Sequence, residues 1–313
     1  MKKRKALKIT VASLTAFIVL SCIALYFVAV NIYSGSFNYR CTTSTEVEFT
    51  IEQFPEMTRQ QHTFKTKQGH SLVGYLYESA DETVEEKGVV VFAHGLGGGG
   101  QRGYMDIFDI LVENDYYVFA YDATANDESE GEVVGGLPQG IIDLDYAISY
   151  AQTIEKTKDL PFVLLGYSWG GLSVTNVLNY HPEVKAVVSL AGWNKSMNLI
   201  DYRGTDMVGP LAKALLPFAS MYEFVEYGKY AFSTSMNGFK KSDCKVMIVH
   251  SDDDTTIPIS YGYEKYYKKY KDDSRFTFKK YTSRDHSLLV DENNNLDTAL
   301  FAEIVAFYNE TIK

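Results

Sequence analysis

The pentapeptide Gly166-Tyr167-Ser168-Trp169-Gly170 holds the residue best suited to act as a nucleophile, Ser168. It follows the apolar run 162–165 directly and precedes a helical pattern at 172–179. A strand that turns into a helix this abruptly needs small flanking residues, and it pushes the serine at its apex outward in a strained backbone. Free N–H groups at a helix start favour negative charge, so the Trp169 N–H is expected to help hold an oxyanion. The second segment is His94-Gly95-Leu96-Gly97-Gly98-Gly99-Gly100, after the apolar run 89–93. Glycines let backbone come close to a substrate, and the Leu96 N–H is the expected second oxyanion donor. This loop lacks the Gly-Lys-Ser/Thr ending of a phosphate cradle and the G-x-G-x-x-G register of a dinucleotide site. His94 is expected to organise the loop rather than act as a base. Serine itself is a weak nucleophile and needs a base oriented by a carboxylate.

These residues need elements to position them. Short apolar runs, bounded by turn residues, occur at 89–93, 116–121, 162–165, 187–190 and 246–249. Their lack of alternation suits strands buried on both faces. Helical patterns lie between them at 104–113, 139–155 and 172–179, and an amphipathic helix at 296–312 closes the chain. A leading hairpin is predicted at 61–65 and 72–77, turning through Gln68-Gly69, and 276–281 alternates like an edge strand. The order predicts an α/β protein with a mostly parallel central sheet and helices on both faces, and the serine turn and glycine loop set in it resemble those of the α/β-hydrolase fold. The rhythm breaks at 193–243, too long a stretch for a structureless loop. Leu211, Leu215, Phe218, Tyr222 and Val225 recur there at helical spacing, with Pro217 expected to kink or divide the helix. We read an inserted helical cap that lines an acyl pocket through Phe218 and Phe224, with Tyr167 as a further substrate contact.

In such a fold the chain order is serine, acid, histidine. Two histidines follow Val246. His250 ends a strand ahead of the acids it would have to follow, whereas His286 sits just past the last strand and is the expected base. The acid is one of Asp252, Asp253 and Asp254, which stand in a row. The stretch His250-Ser251-Asp252-Asp253-Asp254-Thr255-Thr256-Ile257-Pro258 resembles the His-Gly-x-x-Asp-x-x-Val-Pro of many α/β-hydrolase superfamily members, whose Asp is the triad acid. That register implies Asp254, with Ser251 in place of the glycine and Ile257 in place of the valine. Asp252 and Asp253 become solvated neighbours. Residues 122–131, from Asp122 to Gly131, are similar to another segment of these enzymes, and the resemblance covers about residues 89–290. The branch it resembles is that of monoacylglycerol lipases, lysophospholipases and serine aminopeptidase-like enzymes. The resemblance implies a serine hydrolase of acyl, lipid-type or short-acyl esters, working through an acyl-enzyme without cofactor or metal. The same triad serves peptidases, amidases and acyltransferases. A silent binding module would not need the complete set of serine, acid and histidine.

Hydrophobic residues make up 46% of the 313 and charged residues 22%, enough apolar matter for one packed core. The first 30 residues differ. Lys2, Lys3, Arg4, Lys5 and Lys8 precede an uncharged apolar run at 9–30. As a helix it reaches roughly 33 Å, about the thickness of a bilayer core. The run is too long for a signal-peptide core and lacks a clear small-x-small cleavage site. The flanking cations predict a single-pass anchor with a cytoplasmic N-terminus and an extracytoplasmic catalytic body. Residues 1–30 are thus a basic stub and anchor, 31–56 a tether, and 57–313 the hydrolase domain with its cap at 193–243. Beyond the five cations the chain has 25 Lys+Arg against 40 Asp+Glu, a net charge near −15. That excludes nucleic acid as a partner and leaves a small ester or lipid and the membrane. Nothing in the spacing pairs Cys41 with Cys244.

Overall fold

The structure, a computed structural model, describes residues 2–66 and 69–312. Eight strands form one sheet: β1 (Met57–Lys65), β2 (Ser71–Ser79), β3 (Gly88–Ala93), β4 (Tyr116–Tyr121), β5 (Phe162–Tyr167), β6 (Ala186–Leu190), β7 (Lys245–Ser251) and β8 (Phe276–Tyr281). They lie in the order β1-β2-β4-β3-β5-β6-β7-β8. Strands β3 to β8 are parallel to one another, while β2 runs antiparallel to both β1 and β4. The predicted hairpin is therefore β1–β2, although Gln68 of its turn lies outside the described residues. The expected edge strand is β8.

Successive side chains of a strand point to opposite faces, and β3 shows the consequence. Val89, Val91 and Ala93 enter the core on one side, Val90 and Phe92 the core on the other. The first side is covered by α3 (Gln139–Ala151), α4 (Trp169–Asn176) and α8 (Tyr263–Tyr270), the second by α2 (Met105–Val112) and α9 (Thr298–Thr311). The polar, lysine-rich sequence of α8 concealed it, since only Tyr263, Tyr266 and Tyr270 are buried. Between β6 and β7 stands a helical cap: α5 (Ser196–Val208), α6 (Leu211–Tyr227) and α7 (Ser235–Lys241).

Two expectations for the cap need correction. Helix α6 runs its 17 residues through Pro217 without dividing. Its buried side is Ala212, Leu215, Ala219, Glu223 and Tyr227, not the stripe through Phe218 and Val225. The stripe marks where apolar residues are, whereas the small ones mark where another helix comes close.

That other helix is α1 (Lys2–Ser36). Its stretch Leu7–Ser36 is long and apolar enough to cross a membrane, with a mean hydropathy of 2.4 over its most apolar window. The chain does not loosen into a tether after residue 30. Ala29, Tyr33, Phe37 and Cys41 are buried, Tyr33 packs edge-on to Tyr222, and the Cys41 N–H donates to Ala125 O. Cys41 and Cys244 are both free and buried. The joint between α1 and α6 is polar at its centre. Tyr33 Oη donates to Glu223 Oε1 at 2.6 Å, and Ser196 Oγ donates to the same oxygen. Glu223 is fully buried and its Oε2 has no partner. Burial pushes its pKa up to about 7 against the two hydrogen bonds.

A carboxyl with a raised folded pKa stabilises the fold below its unfolded value, near 4.5, and loses that contribution as pH rises through 7. The full-length protein in detergent should therefore melt at a lower temperature at pH 8 than at pH 5. Glu223→Gln should shrink that difference, and an unchanged difference in the variant would contradict the assignment.

Candidate active site

Ser168 occupies the turn from β5 into α4, with φ 54° and ψ −111°, a backbone region costly for any residue with a Cβ. The turn closes because its flanks are glycine. A Cβ on Gly166 would run into Gly170 O, and one on Gly170 into Ala93 O. The Ser168 N–H donates to Leu190 O at 2.8 Å, fastening the turn to β6.

His286 lies in the loop after β8, and Asp254 in the loop after β7. His286 Nε2 is 2.8 Å from Ser168 Oγ, and its Nδ1 is 2.8 Å from Asp254 Oδ2. A carboxylate can only accept, so Nδ1 carries the proton and Nε2 is free to accept from the serine. Tyr167 Oη donates to His286 O at 2.8 Å, and the two rings lie 5.4 Å apart. Tyr167 therefore buttresses the imidazole from behind and is absent from the cavity lining, where a substrate contact was expected.

The Asp254 side chain is wholly buried. Its Oδ1 accepts from the N–H groups of Thr256 (2.9 Å) and Ile257 (2.7 Å). A second imidazole, His250, places Nε2 3.0 Å from Ile257 O and 3.2 Å from Asp254 Oδ2. Burial alone would raise the Asp254 pKa. The hydrogen bonds from His250, His286 and Ile257 outweigh it and hold the carboxyl far below the usual range. It therefore stays ionised in a dry place. Of the neighbours expected to be merely solvated, Asp252 pairs with Lys280 on the surface. Asp253 does more, taking the Ser251 hydroxyl at 2.5 Å and the Arg284 and Asp285 N–H groups on one oxygen. Asp285 returns the clasp by accepting from Thr255 N and Oγ1. The acid and base loops are thereby tied together, a pairing across thirty residues that local sequence does not signal.

The glycine loop is held from two sides. His94 is buried, its Nδ1–H donating to Gly95 O and its Nε2 accepting from Ala123 N–H, and burial lowers its pKa. It organises the loop as expected. From beyond α1, Thr43 and Asp127 grip Gly100, whose N–H donates to both. Asp122 accepts from Gln101 and Glu128 N–H groups, with burial first among the causes that raise its pKa to about 7. Trp169 opens α4 with its indole N–H on Leu137 O.

A cavity of about 360 Å³ meets Ser168 and His286, and Leu96 lines it beside them. Leu199 and Ile200 of α5 and Leu215, Leu216 and Ala219 of α6 form its cap side. Phe218 and Phe224, expected in the pocket, do not line it. Phe224 is 51% exposed and packs on Phe232, because it sits on the face of α6 turned away from Ala212 and Ala219. A further wall comes from the end of α1, with Ala29, Ile32 and Tyr33, and from Phe37 just beyond it. In the sequence Ala29 reads as the end of an apolar run, and Ile32, Tyr33 and Phe37 as part of a tether.

The chain matches the family described as serine aminopeptidase, S33, over residues 84–223. No curated protein matches it. Among solved structures it resembles an esterase of Pyrococcus furiosus, with TM-score 0.66 and 15% identity, over 88% of this chain and all of that one. It also resembles an acylaminoacyl peptidase of Pyrococcus horikoshii (TM-score 0.63, 16% identity, 83% of this chain and 42% of that one). A third likeness is to Est1E of Butyrivibrio proteoclasticus, solved with ferulic acid (TM-score 0.59, 16% identity, 80% of this chain and 99% of that one). With its strand order, its serine elbow and these likenesses, the chain has the α/β-hydrolase fold.

Proposed function

We propose that the protein is a serine hydrolase of carboxylic esters. The observation that carries the reading is the unbroken hydrogen-bonded line Ser168–His286–Asp254 at the floor of an apolar cavity. Ser168 Oγ attacks the acyl carbonyl while His286 Nε2 takes its proton. The N–H groups of Leu96 and Trp169 hold the resulting oxyanion. As the C–O bond breaks, His286 returns the proton to the departing alkoxide, leaving the acyl group on Ser168. Water then attacks the acyl-enzyme, His286 accepts its proton, and the carboxylic acid leaves as Ser168 is reprotonated. Asp254 stays ionised throughout, fixing the ring and stabilising the imidazolium. The S33 family match and the acylaminoacyl peptidase likeness make amides the rival substrates. Among the residues lining the cavity none is Asp or Glu, so nothing there is suited to hold a free ammonium group. The lining does hold the cation Arg203, so what it disfavours is an acyl group with a free amine.

We place the protein in the cell membrane with α1 as a single span. The cations in its first turns keep the N-terminus in the cytoplasm, and residues 57–313 stand on the far side. Protease added to sealed cells should digest the body, whereas protection until lysis would reverse the topology.

The full-length protein should react with a fluorophosphonate at Ser168. Ser168→Ala and His286→Ala should each cost roughly five to six orders of magnitude in kcat, and Asp254→Asn about four. Asp252→Asn, on an exposed ion pair, should leave turnover near wild type. Labelling that survives Ser168→Ala would refute the nucleophile, and a larger loss from Asp252→Asn than from Asp254→Asn would refute the acid.

A further inference from the structure

Part of the cavity wall is membrane helix. The apolar stretch Leu7–Ser36 has 30 residues, which at 1.5 Å each extend roughly 45 Å. A hydrocarbon core occupies about 30 Å of that. The remaining turns, from about Phe27 onward, stand at the far lipid–water interface, and Tyr26, next to them, suits an aromatic belt. These are the turns in which Ala29 and Tyr33 are buried and in which Ala29, Ile32 and Tyr33 line the Ser168 cavity, with Phe37 just beyond. The cavity is therefore at the depth of the lipid carbonyls, not above the membrane. The cap agrees with this placement. Helix α6, packed on α1 through Tyr33 and Glu223, exposes Met221, Phe224 and Val225, and Phe232 follows it, each at least 48% exposed. A clustered apolar surface beside a span is a surface for lipid, not for water.

Resting on the serine-hydrolase reading, we propose that the last turns of α1 form one wall of the substrate site. The substrate is a membrane-resident, single-chain acyl ester. Its tail passes from the outer leaflet between α1 and α6 and lies along Ala29, Ile32 and Phe37, with its carbonyl at Ser168. A cavity of about 360 Å³ is near the lower end of the range for small-molecule sites, which suits one chain and not two. This gives the anchor a role that a spacer or a targeting segment would not have, because it contributes apolar wall to each turnover.

The test uses the full-length protein in phosphatidylcholine liposomes and a hexadecyl fluorophosphonate with a photoreactive diazirine in its tail. Ser168 Oγ bonds to phosphorus, fluoride leaves and the serine proton passes to His286; light then ties the tail to its neighbours. Crosslinks should map to residues 29–37 and 199–219 by peptide mass spectrometry. Labelled Ser168 with crosslinks elsewhere in the body overturns the proposal while leaving the hydrolase reading intact. No labelling of Ser168 refutes that reading, and the proposal falls with it. In Ile32→Trp, which fills the α1 side, labelling by the hexadecyl probe should slow at least tenfold relative to an ethyl probe. Equal slowing of the two overturns the proposal. If the variant fails to fold and neither probe reacts, the wild-type crosslinks decide.

Discussion

The backbone of Ser168, held at φ 54° and ψ −111°, is the constraint around which the molecule is arranged. A conformation of this kind costs on the order of 1–3 kcal/mol and persists only where its surroundings over-determine it. Here the surroundings are the parallel strands β3, β5 and β6. Gly166 meets Gly170 at a distance that admits no side chain, Gly170 meets the end of β3, and the Ser168 N–H is taken by the end of β6. The serine is consequently presented at the C-terminal edge of the sheet, where the loops after β3, β7 and β8 also arrive.

Those loops do not depend on the serine for their order. Asp253 and Asp285 tie the acid and base loops to one another, and Tyr167 ties the base loop back to the elbow. Asp254 is dry, yet it accepts from the Thr256 and Ile257 N–H groups and from His286, with His250 Nε2 3.2 Å from its Oδ2, so its charge is retained in a place that would otherwise neutralise it. The geometry is preorganised: the ring of His286 already faces Ser168 at 2.8 Å, and little movement is needed before a proton transfers.

Much of this is legible in the amino-acid sequence. The unalternating runs mark strands close to their true limits because a strand covered on both faces has no polar side to interrupt it. The glycine-flanked serine and the histidine after the last strand are local signals, and the structure brings their side chains together with Asp254. What escapes the sequence depends on contact between distant segments. Asp253 looks like a solvated acid until the loop after β8 is laid beside it. The stripe of large apolar residues on α6 points to Phe218 and Phe224 as pocket residues. The side that faces α1 and the cavity is instead the one with Ala212 and Ala219, where space was needed. An apolar run long enough to cross a membrane gives no hint that the turns at its end also line a cavity.

Helix α1, the cap and the elbow all line one cavity, and the proposed mechanism stands on Ser168 carrying the acyl group between two half-reactions. Acid quench during steady turnover of a slow-deacylating ester, followed by peptide mass spectrometry, tests that directly. The mechanism predicts the added mass of one acyl group on the peptide containing Ser168, on Ser168 itself. Continued turnover with the acyl group on another side chain, or with no acylated peptide under conditions where deacylation limits the rate, would contradict it.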